Sequence, residues 1–190
     1  VPKSYIRSTR NTPDTDREIV SVLAETAGTE AGDVVKVEAW DGNTKVAEQE
    51  VAAGRETELT IHNAKLWSPA QPFLYDLKIS LIRKGKVIDE VRSYFAMRRL
   101  SVKANENGLQ RMVLNNEFLF QYGPLDQGWW PDGLYTAPTD EALRFDVVKT
   151  REMGFNMIRK HIKVEPARWY YHCDREGILV WQDMPSGDLG

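Results

Sequence analysis

A single cysteine, Cys173, stands among 190 residues, so neither an intrachain disulfide nor a thiolate cage around a metal can form. Histidine is almost as scarce, with three in the chain, and none has a second at the spacing a zinc site needs. No metal and no cofactor is expected. No glycine-rich phosphate loop follows any candidate strand, which weighs against a nucleotide enzyme. No apolar run approaches the ~20 residues of a membrane helix. Positive charge is not in excess either: 25 Lys and Arg face 28 Asp and Glu, a net charge of −3. Without a basic stripe to neutralise phosphates, a nucleic-acid partner is not expected.

What is present suits a packed fold. Hydrophobic residues make up 42% of the chain, enough for one large domain or two small ones. From Glu18 to about Arg98 short alternating segments are separated by turn residues. Val35, Val37 and Ala39 share one strand face, Leu59 and Ile61 another, and Tyr75, Leu77, Ile79 and Leu81 a third. Asp41-Gly42-Asn43 and Lys84-Gly85-Lys86 are turns between neighbouring strands. About seven strands over residues 1–98 predict an immunoglobulin-like β-sandwich held by burial alone.

After Arg98 the texture changes. Leu109 to Leu114 and Glu117 to Tyr122 read as strands around a tight Asn115-Asn116 turn, followed by a long loop from Gly123 to Pro138. Thr139 can cap a helix with Asp140 and Glu141 in its first turn, an inner stripe of Leu143, Val147 and Val148, and Gly154 at its end. Phe155 to Arg159 is then a strand, Pro166 to Gly177 brackets a second helix, and Ile178 to Trp181 is another strand. This βαβαβ order implies parallel strands with right-handed crossovers. A (β/α)8 TIM barrel needs about 250 residues, so residues 99–190 would supply its opening third, about three strands and two helices. The fold class expected is multi-domain: a β-sandwich followed by a partial α/β barrel. Val1-Pro2-Lys3 is no start context and Ser186 to Gly190 close no element, so the chain reads as an internal piece of a longer protein.

Asn156, Ile158 and Arg159, then Trp169-Tyr170, Asp174, Gly177 and Ile178-Leu179-Val180-Trp181, follow a spacing that resembles glycoside hydrolase family 2, the group of β-galactosidases, β-glucuronidases and β-mannosidases. The centre departs from the family pattern. Lys160-His161 replaces a pair of small residues, and Ile162-Lys163-Val164 stands where His-Tyr-Pro is usual, so His161 is one position early. Leu66 to Tyr75 is similar to the family's approach to a late sandwich strand, and Val113 to Leu119 to the start of its barrel. The resemblance implies a retaining glycosidase as parent, a hydrolase of carbohydrate metabolism acting on β-linked substrates. Its two catalytic glutamates follow the fourth and seventh barrel strands, beyond this chain, so the fragment is expected to be inactive. A periplasmic or extracellular location would accord with the family.

Barrel enzymes work at the C-terminal ends of their strands, which selects Arg159, His161 and Asp183 as substrate-binding candidates. Asp183 resembles the acid that the family places after its third strand, and can accept from sugar hydroxyls or hold an arginine that contacts them. The plainer alternative is an ion pair with Arg159 across neighbouring strands. Arg159 could instead keep a nucleophile ionised, and His161 could donate to a hydroxyl or be a structural histidine. Asp126, Trp129 and Trp130 lie in the loop after the first expected barrel strand, with Asp132 and Tyr135. Indole faces stack on pyranose rings while short acids bind hydroxyl edges, although one Trp could anchor the loop. Lys163 and Glu165 are expected as a solvated charge pair, and Trp67 as a sandwich core residue. Self-association through the open barrel edge is expected. A noncatalytic carbohydrate-binding sandwich is the rival reading.

Overall fold

The computed structural model describes residues 4–185; Val1-Pro2-Lys3 and Ser186 to Gly190, read above as cut ends, lie outside the described residues. The chain divides into two compact units, one comprising residues up to Leu66 with Phe73–Val102 and Leu114–Asn116, the other Trp67–Pro72, Lys103–Val113 and the residues from Glu117 onward.

The first unit contains seven strands, β1 (Tyr5–Asp14), β2 (Ile19–Ala27), β3 (Val34–Asp41), β4 (Thr44–Ala52), β5 (Thr57–Thr60), β6 (Tyr75–Arg83) and β7 (Lys86–Phe95). They form two antiparallel sheets, β1-β2-β5 and β4-β3-β6-β7. The period-two faces read from sequence are the ones that turn inward. Val35, Val37 and Ala39 of β3 and Tyr75, Leu77, Ile79 and Leu81 of β6 join Val20, Val22, Ala24, Leu59 and Ile61 in one buried cluster. Each such aliphatic side chain contributes roughly 1.5–3 kcal/mol on burial, which is why no disulfide is needed. Three further short strands, β8 (Leu100–Ala104), β9 (Gln110–Leu114) and β10 (Glu117–Phe118), form a small sheet in the order β10-β9-β8. Asn115 and Asn116 make its tight turn with φ of 51° and 70°, the left-handed pair that asparagine tolerates.

The second unit holds a parallel sheet, β11 (Leu125–Asp126), β12 (Met157–Lys160) and β13 (Leu179–Gln182), crossed over by α1 (Asp140–Glu152) and α2 (Ala167–Glu176). Thr139 caps α1 by accepting from the Ala142 amide, and Gly177, in the left-handed region at φ 78°, ends α2. Leu143, Val147, Ile158, Trp169, Cys173 and Ile178 form the core between sheet and helices.

Three expectations need correction here. The strand expected over Glu117 to Tyr122 is only the two residues of β10, and the first parallel strand lies inside the segment read as a loop. The cause is side-chain pairing. Asn156 donates from Nδ2 to Phe120 O (2.8 Å) and accepts at Oδ1 from the Tyr122 amide (2.9 Å), so the side chain ahead of β12 continues the ladder that a backbone would make. The inner stripe of α1 is completed by Thr150, whereas Val148 is only half-buried. Trp67 is fully buried, but in the second unit: its indole donates to Asp174 O of α2 at 2.7 Å.

Candidate functional site

The C-terminal ends of the three parallel strands bring together most of the residues selected from sequence. Pairing sets Leu125 and Trp181 beside Arg159, and Asp126 and Gln182 beside Lys160. Beyond the last paired residues the chain continues in register, His161 N donating to Asp126 O (2.9 Å) and Asp183 N to Lys160 O (3.0 Å).

Arg159 and Asp183 form the ion pair that was the plainer alternative for both. Arg159 Nε lies 3.2 Å from each carboxylate oxygen and Nη2 lies 3.0 Å from Oδ2. The guanidinium hydrogen bonds hold the Asp183 carboxyl below its ordinary pKa, assisted by the charge of Arg159, by His161 and by a hydrogen bond from the Ile162 amide. That amide belongs to a strained residue. Ile162 has φ 44°, a left-handed conformation that costs a β-branched side chain on the order of 1–3 kcal/mol. Asp183 thus ties down the turn that carries His161 and Ile162.

Gln127, Trp129, Tyr135, His161 and Ile162 line a hollow of ≈ 290 Å³. Trp129 is 63% exposed and its ring meets that of Tyr135 with centroids 5.1 Å apart, while Gln127 Nε2 lies 3.5 Å from His161 Nδ1. Trp130 does not line the hollow. It is half-buried and closes the loop instead, its backbone exchanging hydrogen bonds with Leu134 at 2.7 and 3.0 Å.

Asp126 is not a loop residue; it ends β11, and its carboxylate turns away to a buried charge cluster. Oδ1 accepts from the Gly128 amide (2.7 Å) and Oδ2 from Lys160 Nζ (2.5 Å). Lys160 also reaches Glu165 Oε1 at 3.0 Å, which Lys163 approaches to 2.9 Å. The expectation of a solvated Lys163 and Glu165 pair fails, because these two residues are 5% and 7% exposed and Lys160 1%. Two cations and two carboxylates balance, and aromatic faces complete the cage: Lys160 Nζ stands 4.3 Å from the Trp169 ring centre and Lys163 Nζ 4.3 Å from that of Tyr135. The cluster's field extends to α1, where burial first, and then the negative charges of Asp126 and Glu165, raise the Asp146 carboxyl above its ordinary pKa.

Gln127, within the loop from Gly123 to Pro138, and Lys160 and Ile162, within the selected stretch from Arg159 to Lys163, are not singled out from sequence. For Lys160 a signal existed. Ile158 faces the helices, so the period-two alternation of a strand sends Lys160 to the same covered side and Arg159 to the open one. Among the described residues no group of three or more His, Cys, Asp or Glu could hold a metal ion.

This geometry can be set beside known proteins. The sequence pattern of the family described as Glycosyl hydrolases family 2 matches residues 4–98. A putative β-glucuronidase of Formosa agariphila is 32% identical over 184 residues, 93% of this chain and 17% of that relative. A β-galactosidase of Lactococcus lactis subsp. lactis is 26% identical over 131 residues, 68% of this chain and 12% of that relative. The chain therefore spans less than a fifth of either protein. Of solved structures, β-D-glucuronidase of Dictyoglomus thermophilum superposes with a TM-score of 0.80 at 22% identity, over 100% of this chain and 31% of that one. A glycosyl hydrolase family 2 member from Bacteroides cellulosilyticus does so with a TM-score of 0.74 at 25% identity, over 94% and 26% of the two chains.

Proposed function

Because the chain belongs to glycosyl hydrolase family 2, we propose that it is the sandwich and the opening third of the (β/α)8 barrel of a retaining glycosidase acting on β-linked glycosides. The observation that carries the reading is the convergence at one rim. Arg159 near the C-terminal end of β12, His161 just beyond it and Asp183 just beyond β13 lie at the same end of neighbouring parallel strands, beside a hollow walled by Trp129 and Tyr135. In a barrel that rim is where substrate is held, and an exposed indole beside polar side chains is the composition that suits a pyranose ring.

In this reading Trp129 offers its ring face to the sugar, and His161 and Gln127 offer hydrogen-bond partners to hydroxyls. Asp183 positions Arg159 and the strained turn. Trp130 and Asp126 act from behind the wall, through the loop turn and the buried cluster. The chemistry would be double displacement: a carboxylic acid protonates the leaving oxygen while a carboxylate about 5–5.5 Å away attacks the anomeric carbon, and water then releases the glycosyl-enzyme. Both carboxylates would come from later strands of the parent, so this chain contributes binding wall and no acid, base or nucleophile.

The test is made on the full-length protein and on residues 1–190 with chromogenic β-glycosides. The full-length protein is expected to hydrolyse at least one, releasing the sugar with its anomeric configuration retained by NMR, and the shorter chain to give no turnover. Inversion, or clear turnover by residues 1–190, would overturn the proposal. The rival binding-module reading has one observation of its own, a hollow of ≈ 360 Å³ on the four-stranded sheet lined by Trp40, Asp76, Lys78 and Arg92. Sugar-induced quenching that disappears in Trp40→Ala would favour it.

A further inference from the structure

We propose that Lys163 is a positioning residue, a buried ammonium that fastens the aromatic loop between Gly128 and Tyr135 at both ends and so fixes where Trp129 stands. The inference rests on the reading of that loop as sugar wall. An ammonium can donate in several directions at once, and Lys163 Nζ donates to Gly128 O at 2.9 Å and to Tyr135 O at 2.8 Å while it is ion-paired with Glu165 Oε1 at 2.9 Å. Both acceptors are backbone carbonyls, one at the start and one at the end of the loop. Closing both onto one atom fastens the ends of the loop outside the Trp130–Leu134 bridge that pairs its interior.

The surroundings are shaped for this clamp. Gly128 has φ 69°, and a Cβ there would stand 2.6 Å from Lys163 Nζ and 2.7 Å from Glu165 Oε1, so the loop approaches the cluster as closely as a residue without a side chain permits. The Lys163 carbonyl accepts from Gln182 Nε2 at 2.8 Å, and the Tyr170 hydroxyl accepts from the Glu165 amide and donates to Gln182 Oε1, so β13 and α2 hold the clamp from below. The Tyr135 ring that caps Lys163 is the ring Trp129 packs against. Loop, cation and indole are thus one mechanical unit, with the cation at its base.

The experiment uses the full-length protein with Lys163→Met, which keeps the aliphatic stem and removes the three donors, and with Lys163→Arg. Because Lys163→Met leaves Glu165 with Lys160 alone, the double variant Lys163→Met/Glu165→Gln keeps the buried charge balanced and serves if the single variant does not fold. Hydrogen exchange of residues 128–136 and steady-state kinetics on an aryl β-glycoside are read together. Both Met variants are expected to raise exchange in the loop about tenfold or more, with α1 and β13 unchanged, and to raise KM about tenfold while kcat stays within about twofold. Lys163→Arg is expected to recover part of both effects. Unchanged loop exchange overturns the clamp itself. Loop exchange that rises while KM does not move overturns the sugar-wall reading and leaves the clamp a purely structural device.

Discussion

At the scale of single residues, two carboxylates are held below their ordinary pKa by arginine, and they do different work. Asp183 is held by Arg159 at the exposed strand ends, where solvent screens the pair and its stabilising effect is small. Asp33 is held by Arg83 in the first unit with its side chain 1% exposed, accepting from Nε at 2.9 Å, from Nη2 at 2.7 Å and from the Glu30 amide at 2.8 Å. The Arg83 hydrogen bonds, and next the Glu30 amide, bring its pKa down from 3.8 to about 2. A carboxyl whose pKa is lower in the folded state contributes stability above its unfolded pKa and loses it as pH falls. The contribution of Asp33 is therefore expected to be complete above about pH 4 and to disappear as pH falls through about 2. Asp33→Asn is expected to lower the urea midpoint at neutral pH and to flatten its decline across that acid window. Parallel midpoint-versus-pH curves for the two proteins would refute the assignment.

At the scale of elements, what was legible in sequence follows from how local the cause is. The sandwich strands announce themselves because Val35-Val37-Ala39 and Tyr75-Leu77-Ile79-Leu81 alternate within one segment. Caps are equally local, since Thr139 and the Ala142 amide are three residues apart. Neither β11 nor the charge cluster is local. Leu125-Asp126 carries no periodicity and becomes a strand only because β12 supplies its partners across more than thirty residues. Lys160, Lys163 and Glu165 look solvated in a row, and are buried because Asp126, Gly128 O and Tyr135 O arrive from a distant segment. Trp67 falls in the second unit, not in the sandwich, for the same reason: its partner Asp174 lies 107 positions away.

The dependence of β11 on its neighbour has a measurable consequence. Gly123 lies flat on β12, so closely that an added Cβ would stand 1.6 Å from Met157 O. No side chain fits there without lifting the segment off the sheet, and the contact is backbone, which cannot rotate away. Gly123→Ala is expected to cost about 3 kcal/mol or more, in the range of severe core disruptions. Asn156→Ala, which deletes two hydrogen bonds at an exposed position, is expected to cost about 1–2 kcal/mol. Urea unfolding followed through Trp fluorescence orders the two. A Gly123→Ala protein as stable as its parent would show that the segment from Tyr122 to Asp126 does not dock on β12 as described.

At the scale of the whole molecule, the parallel sheet has two edges and one face that is covered only in part. Among the described residues β11 and β13 each pair with β12 alone. Helices cover the side that carries Ile158 and Val180, while the opposite side buries Met157 and Leu179 at one end and leaves Leu125 50% and Trp181 40% exposed beside Arg159 at the other. Parallel sheets are ordinarily buried on both faces, and an edge with free N–H and C=O groups is a template for another strand. If residues 99–190 are the start of a barrel, the strands that would meet both edges and fill that face belong to the rest of the parent. Residues 1–190 on their own are then expected to self-associate with rising concentration in sedimentation velocity. Amides of β11 and β13 are expected to exchange faster than those of β3 and β6, which have a partner on each side. A charged substitution on the exposed end of that face, Leu125→Glu, should weaken association without altering exchange in the sandwich. A monomer at all concentrations, equally protected in both units, would mean that this sheet is complete as it stands, and would remove the physical argument for a barrel.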